Sequence, residues 1–445
     1  MRPENLKRYA GPVPRYTSYP TAPHFSPEVD ARTYGKWLEA VPADADLSLY
    51  VHIPYCHELC WYCGCSTRAT QRYEPVAQYL PSVLREIEAV HARLPRRLQV
   101  GHIHWGGGSP NVLSPSDVLK LADHIHRRFD VRADAEFAVE VDPRVAPDET
   151  IRAFADAGVN RVSIGVQDFD EAVQKAINRI QPYELTRAVI SAFRSYGIGA
   201  VNVDLVYGLP HQTEASVART VEKVLELKPN RVAMFGYAHL PQRLKHQRLI
   251  DETVLPGIDA RFAQNRLTAR MFAEAGYVRI GLDHFVLPDD AMARAGVRRN
   301  FQGYTADRAP VLIGLGASAI GRLPQGYVQN SPDVARYAAA IDESGLATVR
   351  GHRLSDDDAA RALAIERLMC DLRFPAEELR QTYGAVAEPI IAEARDFVAN
   401  ERDGLVEADQ GSVFRVTEQG RAFVRSICAV FDRYLHAQQV GSAGV

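Results

Sequence analysis

From Leu47 onward, short runs rich in β-branched and aromatic residues alternate with segments of helical periodicity. The runs are Leu47 to Pro54, His102 to Trp105, Glu136 to Val141, Arg161 to Val166, Ala200 to Tyr207 and Arg231 to Tyr237. Between them Leu80, Leu84, Ile87 and Leu94 recur at helical spacing, and Ser114-Pro115 reads as an N-cap with proline at the first helical position. Alternation of this kind builds βαβ units around a parallel sheet. About six such units make an α/β fold that is an incomplete relative of the eight-unit barrel, a (β/α)6-type arc open on one side for a large substrate.

In that architecture the chemistry gathers in the loops after the C-terminal ends of the strands, and the notable polar residues fall there. The first run leads into a cysteine loop and the second into Gly106-Gly107-Gly108-Ser109-Pro110. The third ends in Glu140-Val141-Asp142-Pro143, the fourth in Gln167-Asp168, the fifth contains Asp204, and the sixth leads into Tyr237-Ala238-His239-Leu240-Pro241. Absent side chains in a glycine triplet let a ligand approach the backbone, although a triplet by itself is most often a tight turn. Glu140 and Asp204 inside apolar strands need partners, because an uncompensated buried carboxylate is costly. Two inward carboxylates, Gln167 and a glycine loop at one mouth suit a polar, hydroxyl-bearing ligand such as a ribose.

Four of the six cysteines lie between Tyr50 and Thr67, with Cys56, Cys60 and Cys63 at C-x3-C-x2-C spacing and Cys65 just beyond. Core packing gains little from clustered thiols, whereas soft thiolates this close together are metal ligands. Structural zinc takes four Cys or His ligands, normally as two pairs, and no second pair follows. An iron-sulfur cubane held by three cysteines fits better and leaves one iron open to a small molecule. Cys65 as a fourth ligand, zinc, a redox dithiol and chance clustering stand as the alternatives. Cys370 and Cys428 lie alone in helical patterns and read as packing residues.

Residues 1–46 read as an extended arm, dense in proline and tyrosine around Pro14-Arg15-Tyr16-Thr17-Ser18-Tyr19-Pro20-Thr21, serving as packing or as a flap over a cleft. Residues 47–350 read as the barrel and its extension, with a helix from Ile258 to Ala275 and buried backbone from Val311 to Gly321. Arg298 and Arg299 are candidates to clamp a carboxylate. Residues 351–445 read as a small, mostly helical, winged-helix-like unit. Its helices run from Ser355 to Cys370, Pro375 to Tyr383 and Ala385 to Ala399. A hairpin turning at Asp409 to Gly411 follows, then a helix from Glu418 to Leu435. The unit is not notably basic, so a lid or docking role is expected rather than DNA binding. With a net charge of -3 the chain has no long-range pull toward nucleic acid or an anionic membrane. No run is apolar for long enough to be a signal peptide or membrane span. A cytoplasmic location, a reducing compartment and a monomer are the expectations.

Together these residues resemble the oxygen-independent coproporphyrinogen III oxidase family of the radical S-adenosylmethionine superfamily. The likeness is carried by Cys56-x3-Cys60-x2-Cys63 with Cys65, the Pro-Arg-Tyr-Thr-Ser-Tyr-Pro-Thr arm, and His104-Trp105-Gly106-Gly107-Gly108. Gly165 to Phe169, Tyr237 to Pro241 and Asn300-Phe301-Gln302-Gly303-Tyr304 add to it. Ser109 stands where the family commonly has Thr, which keeps the hydroxyl. The resemblance implies a radical S-adenosylmethionine barrel with a [4Fe-4S] cluster on Cys56, Cys60 and Cys63, and Cys65 nearby as a non-ligand. It implies that Tyr50, Gly107 and Glu140 hold one S-adenosylmethionine, with Ile320 closing on it, and that Tyr50 and Glu140 serve the chemistry. Tyr62, Gly108, Ser109, Gln167, Arg179, Asp204 and Ala238 match positions assigned to a second molecule. The implied reaction converts two propionates of coproporphyrinogen III to vinyl groups, giving protoporphyrinogen IX in haem biosynthesis, with an electron donor and acceptor that the sequence does not name. Rival readings on the same scaffold are a haem-binding chaperone and a radical enzyme with another substrate.

Overall fold

Strand residues alternate between two environments in β1 (Leu47–Ile53), β2 (Gln99–Gly107), β3 (Asp130–Val141), β4 (Arg161–Gln167), β5 (Ala200–Tyr207) and β6 (Arg231–Gly236). One set, including Val51, Trp105, Val139, Ile164, Val203 and Met234, is buried in a large apolar core. The helices Glu74–His91, Pro115–Arg128, Asp148–Asp156, Tyr183–Ser195 and Glu214–Leu227 supply the other side of that core. The alternate set, including His102, His104, Glu136, Glu140, Arg161, Ser163, Asp204 and Arg231, lines an interior cavity. Ser114 caps its helix as expected, accepting from Asp117 N ahead of Pro115. The computed structural model describes residues 9, 11–409, 412–435 and 442–443.

The six strands pair in parallel and in sequence order. The arc does not close. Outside β6 lie β8 (His284–Val286) and then β7 (Val278–Ile280), both antiparallel to their neighbours. On the other side β9 (Val311–Leu315) runs parallel to β1, followed by the antiparallel β10 (Ile320–Leu323), β11 (Gly326–Asn330) and β12 (Thr348–Arg353). This is the incomplete barrel that the periodicity predicts, extended into a twelve-stranded sheet. The Val311 to Gly321 segment is therefore more than buried backbone beside the barrel, because it forms two strands of the sheet. Its small residues allow tight packing there: a Cβ on Gly314 would lie 2.6 Å from the Ile320 carbonyl oxygen.

A second apolar core joins Leu368, Phe374, Ile390, Phe414, Phe423 and Phe431 to Tyr16 and Tyr19 of the arm. The helices Asp356–Asp371, Ala376–Tyr383 and Ala387–Asn400 and the hairpin Val406–Ala408 with Phe414–Val416 agree with the expected pattern. Positions 410–411 of the expected turn lie outside the described residues. The expected Glu418 to Leu435 helix is broken into Glu418–Arg421, Val424–Cys428 and a 3-10 turn at Ala429–Phe431. Gly420 presses on the Leu405 carbonyl, where a Cβ would come within 2.0 Å. The bend at Phe423 (φ -109°, ψ 13°) then lets Phe423, Val424, Ile427 and Phe431 all reach the core.

Arg298 and Arg299 are not a clamp for a ligand carboxylate in the cavity, because neither lines it. Arg298 pairs with Glu366 at 3.2 Å, and Arg299 donates to the carbonyls of Arg15 (3.1 Å) and Tyr16 (3.2 Å) while its Cζ stacks 4.4 Å from the Tyr304 ring centre. Arg299 fastens the arm. Among the described residues no helix is long and apolar enough to cross a membrane.

Glu86, wholly buried on the helix Glu74–His91, accepts from Gly316 N (2.7 Å), Asn330 Nδ2 (2.6 Å) and Tyr337 OH (2.6 Å). Burial pushes its carboxyl up to about 7 in spite of these donors. The contacts brace the β9–β10 turn against the helix. Glu86→Ala is expected to lower stability by about 3–5 kcal/mol, because it strands three buried donors. Urea unfolding measures this, and a loss below about 1 kcal/mol contradicts the bracing role.

Candidate active site

The cysteine loop leaves the C-terminal end of β1 and is folded back by a short parallel ladder of Tyr55–Cys56 against Arg68–Ala69. Neighbouring loops grip its backbone. Trp61 N donates to Ile177 O (3.0 Å), Asn178 Nδ2 to Leu59 O (3.1 Å) and Gln247 Nε2 to Tyr62 O (3.1 Å), while His246 Nε2 lies 2.7 Å from Cys63 O. Beyond that ladder the loop has no regular element, so the shape of the segment around Cys60, Cys63 and Cys65 is set from outside. Cys56, Cys60, Cys63 and Cys65 all line one cavity of about 770 Å³ that runs down into the barrel.

The Cys60 sulfur accepts from Arg144 Nη2 (3.5 Å) and Arg179 Nη1 (3.4 Å), and both guanidinium groups also bond Asp142. Cationic neighbours suit an anionic sulfur. Cys65 hydrogen-bonds Cys63, which draws Cys63 down to about 7 and pushes Cys65 up, so Cys65 acts as the proton donor of the pair. Among the described residues no three His, Cys, Asp or Glu side chains converge on one ion position. Thiols held apart on one loop suit a cubane, where each thiolate serves a different iron, better than a single tetrahedral ion.

Close packing accounts for the glycine triplet at the end of β2. Gly107 has φ +102°, and a Cβ there would come 2.3 Å from the His52 ring; one on Gly108 would come 2.4 Å from Tyr55 O. The missing side chains let β1 and the cysteine loop close over the end of β2. Glu140 Oε1 lies 2.9 Å from His104 Nε2, and Oε2 accepts from Gly107 N at 3.1 Å. Burial raises this carboxyl, but His104 and the Gly107 amide outweigh it and hold Glu140 below the ordinary range. Asp204 accepts from Ser163 Oγ (3.0 Å) and is pushed up to about 6 by burial and by the charge on Glu140. The two carboxylates of one mouth therefore differ in proton affinity.

Tyr62, Gly107, Gly108, Ser109, Glu140, Gln167, Arg179, Asp204 and Ala238 line the same cavity as the three spaced cysteines. Tyr50 and Ile320 are not among the lining residues. The Tyr50 hydroxyl lies 3.0 Å from His52 Nδ1 and its ring stacks on His104 with centres 5.8 Å apart; Ile320 begins β10 opposite Gln329. Gln167 sits at a bulge between β4 and β5 with φ +67°, a costly conformation for a residue with a side chain and one that concentrates at functional sites. Arg144 completes the Cys60 surroundings, and its one signal in the sequence is its place shortly after the third strand. At the far end of the cavity Glu136 pairs with Arg161 (2.9 Å) and Arg231 (3.2 Å), and Arg231 with Asp290 (2.8 Å).

A parallel arc with a three-thiol loop after its first strand defines a radical S-adenosylmethionine protein, and residues 50–224 match the Radical SAM superfamily model. The chain is 48% identical over 427 residues to an oxygen-independent coproporphyrinogen III oxidase of Bradyrhizobium diazoefficiens, covering 95% of each chain. It is 46% identical over 438 residues to an anaerobic coproporphyrinogen III oxidase of Cereibacter sphaeroides, covering 97% of this chain and 96% of that one. The solved structure of coproporphyrinogen III oxidase (HemN) from Escherichia coli, described as a radical SAM enzyme, superimposes with a TM-score of 0.89 at 37% identity, over 95% of this chain and 98% of that one. This chain belongs to the oxygen-independent coproporphyrinogen III oxidase family. Members of the superfamily carry a [4Fe-4S] cluster and S-adenosylmethionine, and the thiol loop with its cationic surround fits such a cluster.

Two outcomes follow from this geometry. Cys60→Ser is expected to abolish iron incorporation while Cys65→Ser keeps it, read from iron content and the 400 nm absorbance of anaerobically reconstituted protein; equal loss from both contradicts a three-ligand site. Because the Asp204 carboxyl is raised in the folded state, its contribution to stability is full below about pH 4 and lost as pH rises through 6. Asp204→Asn should therefore gain about 1–3 kcal/mol on the parent between pH 4 and pH 7 in urea titrations, and a pH-independent difference contradicts the assignment.

Proposed function

We propose that this chain carries out the oxygen-independent oxidative decarboxylation of coproporphyrinogen III, converting two propionates to vinyl groups and giving protoporphyrinogen IX in haem biosynthesis. The observation that carries this reading is a single deep cavity lined by Cys56, Cys60 and Cys63 together with Glu140, Gln167 and Asp204. Relatives of that name match the chain over nearly its whole length. When bound, the cluster and S-adenosylmethionine supply the one-electron chemistry that removes hydrogen from a propionate side chain.

The chain's own residues bind, orient and shield. Cys56, Cys60 and Cys63 would hold the cluster, with the Arg144 and Arg179 guanidinium groups beside the Cys60 sulfur. Glu140, kept ionised by His104 and the Gly107 amide, would offer its carboxylate as an acceptor to the hydroxyls of S-adenosylmethionine. Tyr50 acts through His52 and His104, and Ile320 supports the rim from β10. Tyr62, Gly108, Ser109, Gln167, Arg179, Asp204 and Ala238 form a second region, suited to another S-adenosylmethionine or to part of the porphyrinogen. Pro14, Arg15, Tyr16 and Thr17 line the cavity from the arm side and limit water entry. Each vinyl group formed costs the propionate one hydrogen atom, CO2 and one further electron, so an acceptor outside the chain is required for that electron, as is a reductant for the cluster. We read the protein as a cytoplasmic monomer.

The test is anaerobic turnover by reconstituted protein with S-adenosylmethionine, a low-potential reductant and coproporphyrinogen III, with nucleoside and porphyrin products followed by chromatography. Formation of 5'-deoxyadenosine with protoporphyrinogen IX is expected. Deoxyadenosine without decarboxylation would mean another substrate, and tight haem binding with neither product would mean a chaperone.

A further inference from the structure

Among the described residues six arginines line the cavity, and four of them are paired with carboxylates. Arg144 and Arg179 pair with Asp142 at 2.7 and 3.4 Å. Arg161 pairs with Glu136 at 2.9 Å and Arg231 with Asp290 at 2.8 Å. Among the described residues only Arg15 and Arg243 of these six have no ion-pair partner. A substrate with four carboxylates needs cations that the protein has not already spent on itself.

The two free arginines are held differently. Arg243 is exposed on the loop after β6 with no side-chain hydrogen bond among the described residues. Arg15 is fixed on both sides. Its carbonyl and that of Tyr16 accept from Arg299, and the Tyr16 ring is buried in the second core with its hydroxyl 3.0 Å from Asp432. Its own Nη2 donates to Gly236 O at the end of β6 (3.2 Å), which leaves most of the guanidinium donors open to the cavity. Arg261 adds a second positive charge there, donating to Tyr237 O at 2.9 Å. The nearby Asp283 carboxylate is engaged by His284 at 2.8 Å. Arg15 is an exposed residue, with Asp283 as the main opposing charge and Arg299 as the main like charge around its guanidinium.

We propose that Arg15 grips a propionate carboxylate of the porphyrinogen away from the reacting position, and so selects a substrate by its number of carboxylates. A guanidinium fork matches a carboxylate with two parallel hydrogen bonds. The inference rests on the function proposed above.

The experiment compares full-length reconstituted parent protein with Arg15→Ala and Arg15→Lys. It measures KM and kcat for coproporphyrinogen III, binding of coproporphyrin III and of its uncharged tetramethyl ester, iron content and S-adenosylmethionine binding. Arg15→Ala is expected to raise KM and the Kd for the tetra-acid about 10- to 100-fold. Ester binding, iron content and S-adenosylmethionine binding should be unchanged, and Arg15→Lys should recover part of the loss. Unchanged KM and Kd overturn the inference, and so does equal weakening toward acid and ester, which would mark a structural role for the arm. If the parent does not turn over coproporphyrinogen III, the functional reading falls and this inference with it. Turnover by the parent with an unaffected Arg15→Ala variant removes the inference alone.

Discussion

Parallel pairing of β1 to β6 in sequence order is the constraint on which the site depends. Strands that all run one way bring their C-terminal ends to one rim, and the loops that leave them share that rim. The cysteine loop, the glycine triplet, Asp142 with Arg144, Gln167, and Tyr237 with Ala238 meet there for this reason alone. The period of two then acts along each strand, turning His104, Glu140, Ser163 and Asp204 toward the cavity while Trp105, Val139, Ile164 and Val203 pack on helices. One geometrical rule thus supplies both the core and the polar lining.

The interior has two electrostatic regimes. At its floor Glu136 is matched by Arg161 and Arg231, whose charges outweigh burial and hold its carboxyl at about 2. Such a matched set stays charged, because losing either partner would leave a buried ion unpaired in a low dielectric. At the mouth the matching is incomplete: Asp204 has one hydroxyl donor and a like charge nearby, and it sits near 6. Unevenly satisfied groups in a cavity retain capacity for a ligand. Cys60, between two guanidinium groups, belongs to the same regime.

The arm joins the two cores of the molecule. Tyr16 and Tyr19 are buried with the C-terminal helices while Pro14, Arg15 and Thr17 face the cavity. Packing and covering are therefore one task for this segment, and Arg299 is the clasp that makes them so. The break of the last long helix serves the same end, since it brings Phe423 and Phe431 together around the arm's tyrosines.

Much of this was legible in the chain. Local periodicity determined the strands and helices, because a strand buried on both faces and an amphipathic helix leave different apolar spacings. Thiol spacing determined the cysteine loop, and strand-end placement determined Glu140, Gln167 and Asp204. Only the tertiary structure decided what touches what. It gave Arg299 to the arm rather than to a ligand, enrolled Val311 to Leu315 in the sheet, stacked Tyr50 on His104, and left Arg15 and Arg243, among the described residues, as the cavity arginines without an ion pair. Periodicity reports which face of an element is buried; the partner that a charged side chain finds depends on residues hundreds of positions away, and no local pattern encodes that meeting.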